Sequence, residues 1–236
     1  MDATTATTTE QKPTVEVVVV SDNICPWCFV GKRNMEQAFA RFPHVSFKVF
    51  WKAFFLNPDI PEGGMTTTEY MQNQYGIKEV PASIRERLIK AGSKVGINFA
   101  PRVRIYPTLR SHRLVEYAKE LDAKEGGNTT DKQNAVVEAI FKLYFEQEAD
   151  ISSVDVLVEA AGEVGLNKEE VRAYLESNRN EKEVMEEYKE AALMGIHGVP
   201  HFTISVPGNK KRMRLSGGQP PEAFLDALEE LGIVEQ

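Results

Sequence analysis

The chain has only two cysteines in 236 residues. Covalent staples between distant segments are therefore excluded. No apolar run approaches the roughly 18 residues that a membrane span needs. Positive charge is not in excess: 28 Lys and Arg stand against 35 Asp and Glu, a net charge of −7. Signs alternate along the chain and no basic tract stands out, which argues against nucleic acid or an anionic membrane as the main partner. No fixed-period repeat is present. Residues 1–14, rich in Thr and Ala, lack the basic start and apolar stretch of a secretory signal. They read as a disordered tail, and a cytoplasmic location is expected. Hydrophobic residues at 42% and charged residues at 27% are enough to build a sizeable core without disulfides or metals.

Both cysteines fall in one tetrapeptide, Cys25-Pro26-Trp27-Cys28. It follows a β-branched run, Val15 to Val20, that reads as a buried strand. It opens a helical pattern running to about Arg41, with Pro26 suited to the first turn. A thiol at a helix start is favoured as thiolate, the reactive form. In a reducing compartment such a pair is catalytic or metal-binding rather than structural. Cys25 is then the nucleophile. Cys28, one turn later and more shielded, is the resolving thiol. Pro26 fixes the backbone and Trp27 offers an apolar surface beside the thiol.

Alternation from Val45 to Trp51 marks a second strand, so the chain opens β-α-β, with the cysteines at the first strand-to-helix junction. Residues 57–194 differ in texture. Helical patterns cover 67–75, 82–95, 111–125, 130–146, 153–164 and 168–193. Thr130 or Asp131, Ser152-Ser153 and Asn167 are the expected caps. A strand from His201 to Val206, a turn at Pro207-Gly208-Asn209, a strand from Arg212 to Ser216 and a helix from Pro221 to Leu231 close the chain. Residues 15–56 and 195–236 thus form a β-α-β plus β-β-α, thioredoxin-like α/β domain. Residues 57–194 form an all-helical insertion.

The segment Ser21-Asp22-Asn23-Ile24-Cys25-Pro26-Trp27-Cys28-Phe29-Val30-Gly31-Lys32-Arg33 resembles the active-site start of DsbA-like thioredoxin-fold oxidoreductases, specifically the FrnE-like branch. Thr108 to Leu114, Gly195-Ile196-His197-Gly198-Val199-Pro200 and Ser216-Gly217-Gly218-Gln219 extend the resemblance over almost the whole chain after Thr14. Two positions depart from the pattern: His201 stands where Phe or Thr is usual, and Ser111 precedes His112-Arg113-Leu114 where Ala is usual. The resemblance implies a disulfide oxidoreductase with a redox-active disulfide and no tightly bound cofactor. It also implies that Pro200 is cis and faces the cysteines. Such a proline leaves the amide and carbonyl of Val199 free to pair with an extended substrate. Protein or peptide thiols, or glutathione, are the expected substrates.

Asp22 reads either as a proton relay for the thiols or as a loop carboxylate. His201 reads as a residue tuning the site, and His112 as a structural histidine. Trp51, Phe54 and Phe55 read as core or interdomain packing, and the Lys210-Lys211-Arg212 run as a solvated hairpin. A competing set is metal-binding: Cys25 and Cys28 with His197 and His201 have zinc-site spacing in each half. A second enzyme class also fits the layout, the glutathione-dependent kappa-type transferases and hydroxychromene-carboxylate isomerases. They carry a hydroxyl-bearing residue where this chain has Cys25. A third reading is a zinc-binding or chaperone module. A homodimer is left open, because an exposed apolar helix face reads like a core face.

Overall fold

Val15, Val17 and Val19 point to one face of the first strand and are wholly buried, as period-two alternation requires. The structure, a computed structural model, describes residues 12–126 and 129–236. Most of the expected tail lies outside the described residues, and Thr14 already belongs to strand β1 (Thr14–Ser21). Helix α1 (Pro26–Phe39) connects it to β2 (Ser46–Ala53), which pairs with β1 in parallel. Strands β5 (His201–Ser205) and β6 (Arg212–Ser216) add on antiparallel, giving the order β2-β1-β5-β6. Helix α9 (Pro221–Glu230) packs beside α1, and its Phe224 meets Phe202 edge-on at 5.0 Å. This is the thioredoxin-like α/β core that the sequence pattern predicts. The numbering β1 to β6 and α1 to α9 follows chain order.

The intervening stretch holds α2 (Thr67–Tyr75), α3 (Ala82–Lys94), α4 (Leu109–Lys124), α5 (Asp131–Glu146), α6 (Val154–Glu163), α7 (Lys168–Glu176) and α8 (Glu181–Leu193). It differs from the sequence reading in three ways. It is not purely helical: β3 (Met65–Thr66) and β4 (Arg104–Ile105) make a small antiparallel ladder. The pattern expected to continue from 168 to 193 is broken between α7 and α8, where Asn180 adopts a left-handed φ of 58°. Thr130 does not cap α5; its hydroxyl accepts the Val49 N–H at 3.2 Å. The α5 start is instead satisfied by Asp122 of α4, which accepts the N–H groups of Lys132 and Gln133 at 3.1 and 3.0 Å. Ser153 and Asn167 cap α6 and α7 as expected.

β2 is an edge strand, and an edge exposes unpaired backbone groups. Helical side chains cover it. Gln133, fully buried, accepts from the Trp51 N–H at 3.0 Å and donates to the Trp51 carbonyl at 3.2 Å. Asn134 donates to the Val49 carbonyl, and Glu187 of α8 accepts from the Ala53 N–H. Phe54 and Phe55, just beyond β2, stack edge-on against Tyr188 of α8. No helix among the described residues is long and apolar enough to cross a membrane.

Candidate active site

Cys25 is the N-cap of α1 and Pro26 its first helical residue. Pro26 lacks an N–H, so the first turn loses no donor there. The Cys25 N–H bonds to the Asp22 carbonyl at 3.0 Å, and the Cys28 N–H to the Cys25 carbonyl at 3.0 Å. The helix start therefore fixes both sulfurs. The thiols are unlinked, and their surroundings differ. Cys28 is wholly buried; Cys25 retains 5% exposure. Burial pushes the Cys28 thiol well above its ordinary pKa, and the adjoining Cys25 adds to the rise through a hydrogen bond and its charge.

The loop before β5 closes over this start. The Val199–Pro200 peptide is cis. The Cys25 thiol donates to the Val199 carbonyl oxygen at 3.6 Å. The Pro200 carbonyl accepts from the Gly217 N–H at 2.8 Å, which ties this loop to the one after β6. Two glycines permit the close approach. A Cβ on Gly31 would sit 3.1 Å from the Phe202 ring and 3.2 Å from Pro200. One on Gly218 would sit 3.0 Å from the Trp27 ring and 3.2 Å from its carbonyl oxygen. Asn34 clamps the same loop through the Gln219 carbonyl at 2.8 Å. Trp27 is half-buried, with the Arg87 guanidinium of α3 5.5 Å from its ring centre.

Asp22 is fully buried behind the cysteines. Its carboxylate accepts from the Leu56 N–H at 2.7 Å and lies 3.5 Å from His112 Nε2. That nitrogen is also 3.1 Å from the Phe54 carbonyl oxygen, while Nδ1 is 3.5 Å from the Asn23 amide nitrogen. The network assigns the ring proton to Nε2, which donates to Phe54, and leaves Nδ1 to accept from Asn23. Asn23 in turn donates to Ser111 at 2.8 Å. His112 is thus a satisfied, buried histidine, and it also holds the segment that carries the thiols.

His197 and His201 do not join the cysteines. His197 is exposed. In β5 successive side chains alternate faces: Phe202 reaches Gly31 on the α1 side, so His201 points to the opposite face. There its Nδ1 pairs with Ser216 Oγ at 2.9 Å. Partial burial, and then the charge of Arg214, hold the ring below the ordinary histidine pKa. The four-ligand metal set is therefore not assembled, and no group of three or more His, Cys, Asp or Glu among the described residues has metal-binding geometry. Sequence reasoning passed over Asn34 and the spacing roles of Gly31 and Gly218. The signal was available in the second and third cases, since both glycines lie within the segments that carried the family resemblance.

A four-stranded thioredoxin-like sheet, a dithiol at the first helix start and an X-Pro loop packed on it define a thioredoxin-fold protein of the dithiol class. The family model for the DSBA-like thioredoxin domain matches residues 16–229. The chain belongs to that family. It is similar to the uncharacterized protein YwbO of Bacillus subtilis (strain 168), with 31% identity over 204 residues, 83% of this chain and 90% of that one. Among solved structures, a probable DsbA oxidoreductase from Streptomyces coelicolor superposes with a TM-score of 0.74 at 30% identity, covering 92% of this chain and 90% of that chain. The cytosolic disulfide reductase DsbM from Pseudomonas aeruginosa, solved with GSH, shares the fold at a TM-score of 0.57 and 16% identity, covering 93% and 100%.

Proposed function

We propose that the chain is a cytoplasmic thiol–disulfide oxidoreductase of the FrnE-like branch, acting on protein or peptide thiols with glutathione as a cosubstrate. The observation that carries this reading is the asymmetry of the two thiols. Cys25 caps the helix and meets the Val199–Pro200 loop; Cys28 is wholly buried and held as a thiol.

In the reductive direction the Cys25 thiolate attacks a substrate disulfide. A Cys25–substrate disulfide forms and one substrate thiolate leaves. Cys28 then loses its proton and attacks the Cys25 sulfur. The second substrate thiolate leaves, and the protein holds the Cys25–Cys28 disulfide, having passed on two electrons. A dithiol, or two molecules of glutathione, restores the pair. The Val199 backbone offers β-type pairing to an extended substrate, with Pro26 and Trp27 flanking it. Asp22 serves Cys28 as a positioning residue. Its backbone hydrogen-bonds the Cys28 thiol, which favours the thiolate at the resolving step against the effect of burial.

The test is dithiol-driven insulin reduction. Cys25→Ser abolishes it, and Cys28→Ser accumulates mixed disulfides on Cys25. Full activity in Cys25→Ser would overturn the reading. Saturable glutathione binding that survives Cys28→Ser, together with a loss of insulin reduction in neither variant, would favour the glutathione-transferase class instead.

A further inference from the structure

A cavity of about 760 Å³ opens between α2, α3 and residues 99–103, with no residue of α1 or of the Val199–Pro200 loop in its lining. That volume is in the range of small-molecule sites, roughly 300–1,000 Å³. Its apolar lining includes Met71, Leu88, Phe99, Val103 and Phe145. The walls are fixed by hydrogen bonds. Thr67 donates through N–H to the Val103 carbonyl at 2.9 Å and through its hydroxyl to the Arg102 carbonyl at 3.0 Å. The Ala100 N–H bonds to the Phe145 carbonyl at 2.9 Å. The Phe99 ring fills the space that a side chain on Gly92 would take, which closes α3 against the loop.

Arg102 is out of keeping with an apolar groove. Its guanidinium lies 4.9 Å from the ring centres of both Tyr144 and Phe145. Its Nε and Nη1 are buried and meet no carboxylate or carbonyl, the Tyr144 hydroxyl being the polar group beside the guanidinium. No carboxylate among the described residues pairs with it, although eighteen Lys or Arg ion pairs occur elsewhere among them. Arg102 is only partly buried, and a guanidinium with no carboxylate partner in a largely apolar wall is attractive to an anion. Lys78 and Arg85 also line the cavity; the one acid there, Glu79, is 3.4 Å from Arg85. The lining therefore carries a positive excess on a chain whose net charge is −7.

We propose that this cavity binds a small amphipathic carboxylate, an apolar chain along Met71, Leu88 and Val103 with its anionic end at Arg102. Of the lining cations, Arg102 is the one held against the apolar wall at Phe145, which places the anionic end there. The cavity adjoins the site through two contacts. Phe145 stacks with Phe29, the residue after Cys28, at 6.0 Å, and α3 carries the Arg87 that covers Trp27.

The probes are decanoate and its neutral counterpart 1-decanol, titrated by calorimetry into the full chain. The wild-type protein binds decanoate at least tenfold more tightly than decanol, and the Met71, Leu88 and Val103 methyl signals shift. Arg102→Met brings the two affinities to within threefold. Val103→Glu, at a position 65% exposed and so free of folding cost, weakens decanoate at least tenfold and decanol less. It carries the test if Arg102→Met does not fold. Equal wild-type affinities, no binding up to the solubility limit, methyl shifts confined to another surface, or a preference unchanged in the folded variants would each overturn the proposal.

Discussion

The Cys25 thiol and the Val199 carbonyl oxygen, 174 positions apart in sequence, are joined by a 3.6 Å hydrogen bond. In the dithiol form the donor is the thiol proposed as the nucleophile. Ionisation or mixed-disulfide formation removes that proton and frees the carbonyl. Among the described residues the Val199 N–H has no backbone partner. In the proposed reading, substrate pairing at Val199 is therefore coupled to the chemical state of Cys25.

The unequal burial of the thiols predicts ordered alkylation. Cys28 is both inaccessible and held protonated, and only the thiolate reacts. Iodoacetamide at neutral pH should label Cys25 at least about tenfold faster than Cys28 in the folded, reduced protein. Peptide mapping by mass spectrometry reads the ratio. Equal rates would contradict the assignment of roles.

The same burial predicts a loss of stability in alkali. The folded-state pKa of Cys28 is raised, so above about pH 8.5 the unfolded chain has lost a proton that the native protein keeps. The stabilisation is fully present below that pH and declines as pH rises toward the folded value. Tyr144, pushed up to about 12 mainly by burial, and Tyr70, raised chiefly by burial, add a second decline above about pH 10. Urea unfolding of the reduced protein between pH 7 and 11 should show both steps, and Cys28→Ala should remove the first.

Close approach at Gly31 predicts a coupled loss of stability and activity. A valine there places its Cβ at 3.1 Å from Phe202 and 3.2 Å from Pro200, before its methyls are counted. Overpacking of this kind costs about 1–3 kcal/mol. It also displaces the Pro200 loop from Cys25, so insulin reduction should fall more than the folded fraction does. Gly198→Ala meets nothing within 4 Å and should leave the urea midpoint unchanged.

Local periodicity made the β-α-β and β-β-α units legible. Val15 to Val20 is too short and too β-branched for a helix, and the Arg212–Ser216 strand has the bounds read from the sequence. The position of Cys25 at a strand-to-helix junction was legible for the same reason. What escaped depends on contacts between distant residues. Nothing near Gln133 or Asn134 announces that their amides will close the edge of β2, 82 to 85 positions away. Thr130 has the chemistry of a cap, yet the Val49 N–H takes its hydroxyl. His201 is a different case. Strand alternation from Phe202 was enough to turn it away from the cysteines, and zinc-like spacing in sequence obscured that.

The break between α7 and α8 has its cause in α4. Arg113 is 4% exposed. Its guanidinium donates to four carbonyls at the end of α7 and the turn that follows: Tyr174 at 3.0 Å, Leu175 at 3.3 Å, Ser177 at 2.6 Å and Arg179 at 2.8 Å. These are the groups that a terminating helix leaves unpaired, and the cation also meets the negative end of the helix dipole. Tyr174 returns a bond from its hydroxyl to the Arg113 carbonyl at 3.0 Å. Arg113→Met strands several buried acceptors and should cost about 2–4 kcal/mol. Arg113→Lys keeps the charge but lacks the planar fork, so it should recover less than half of that loss. Urea midpoints of the two variants against the wild type measure both. A loss below about 1 kcal/mol in Arg113→Met, the size of a surface ion pair, would mean that α7 ends for another reason. Cys25 alkylation rates in the folded variants should match the wild type, because Arg113 reaches the α7 end and not the thiols.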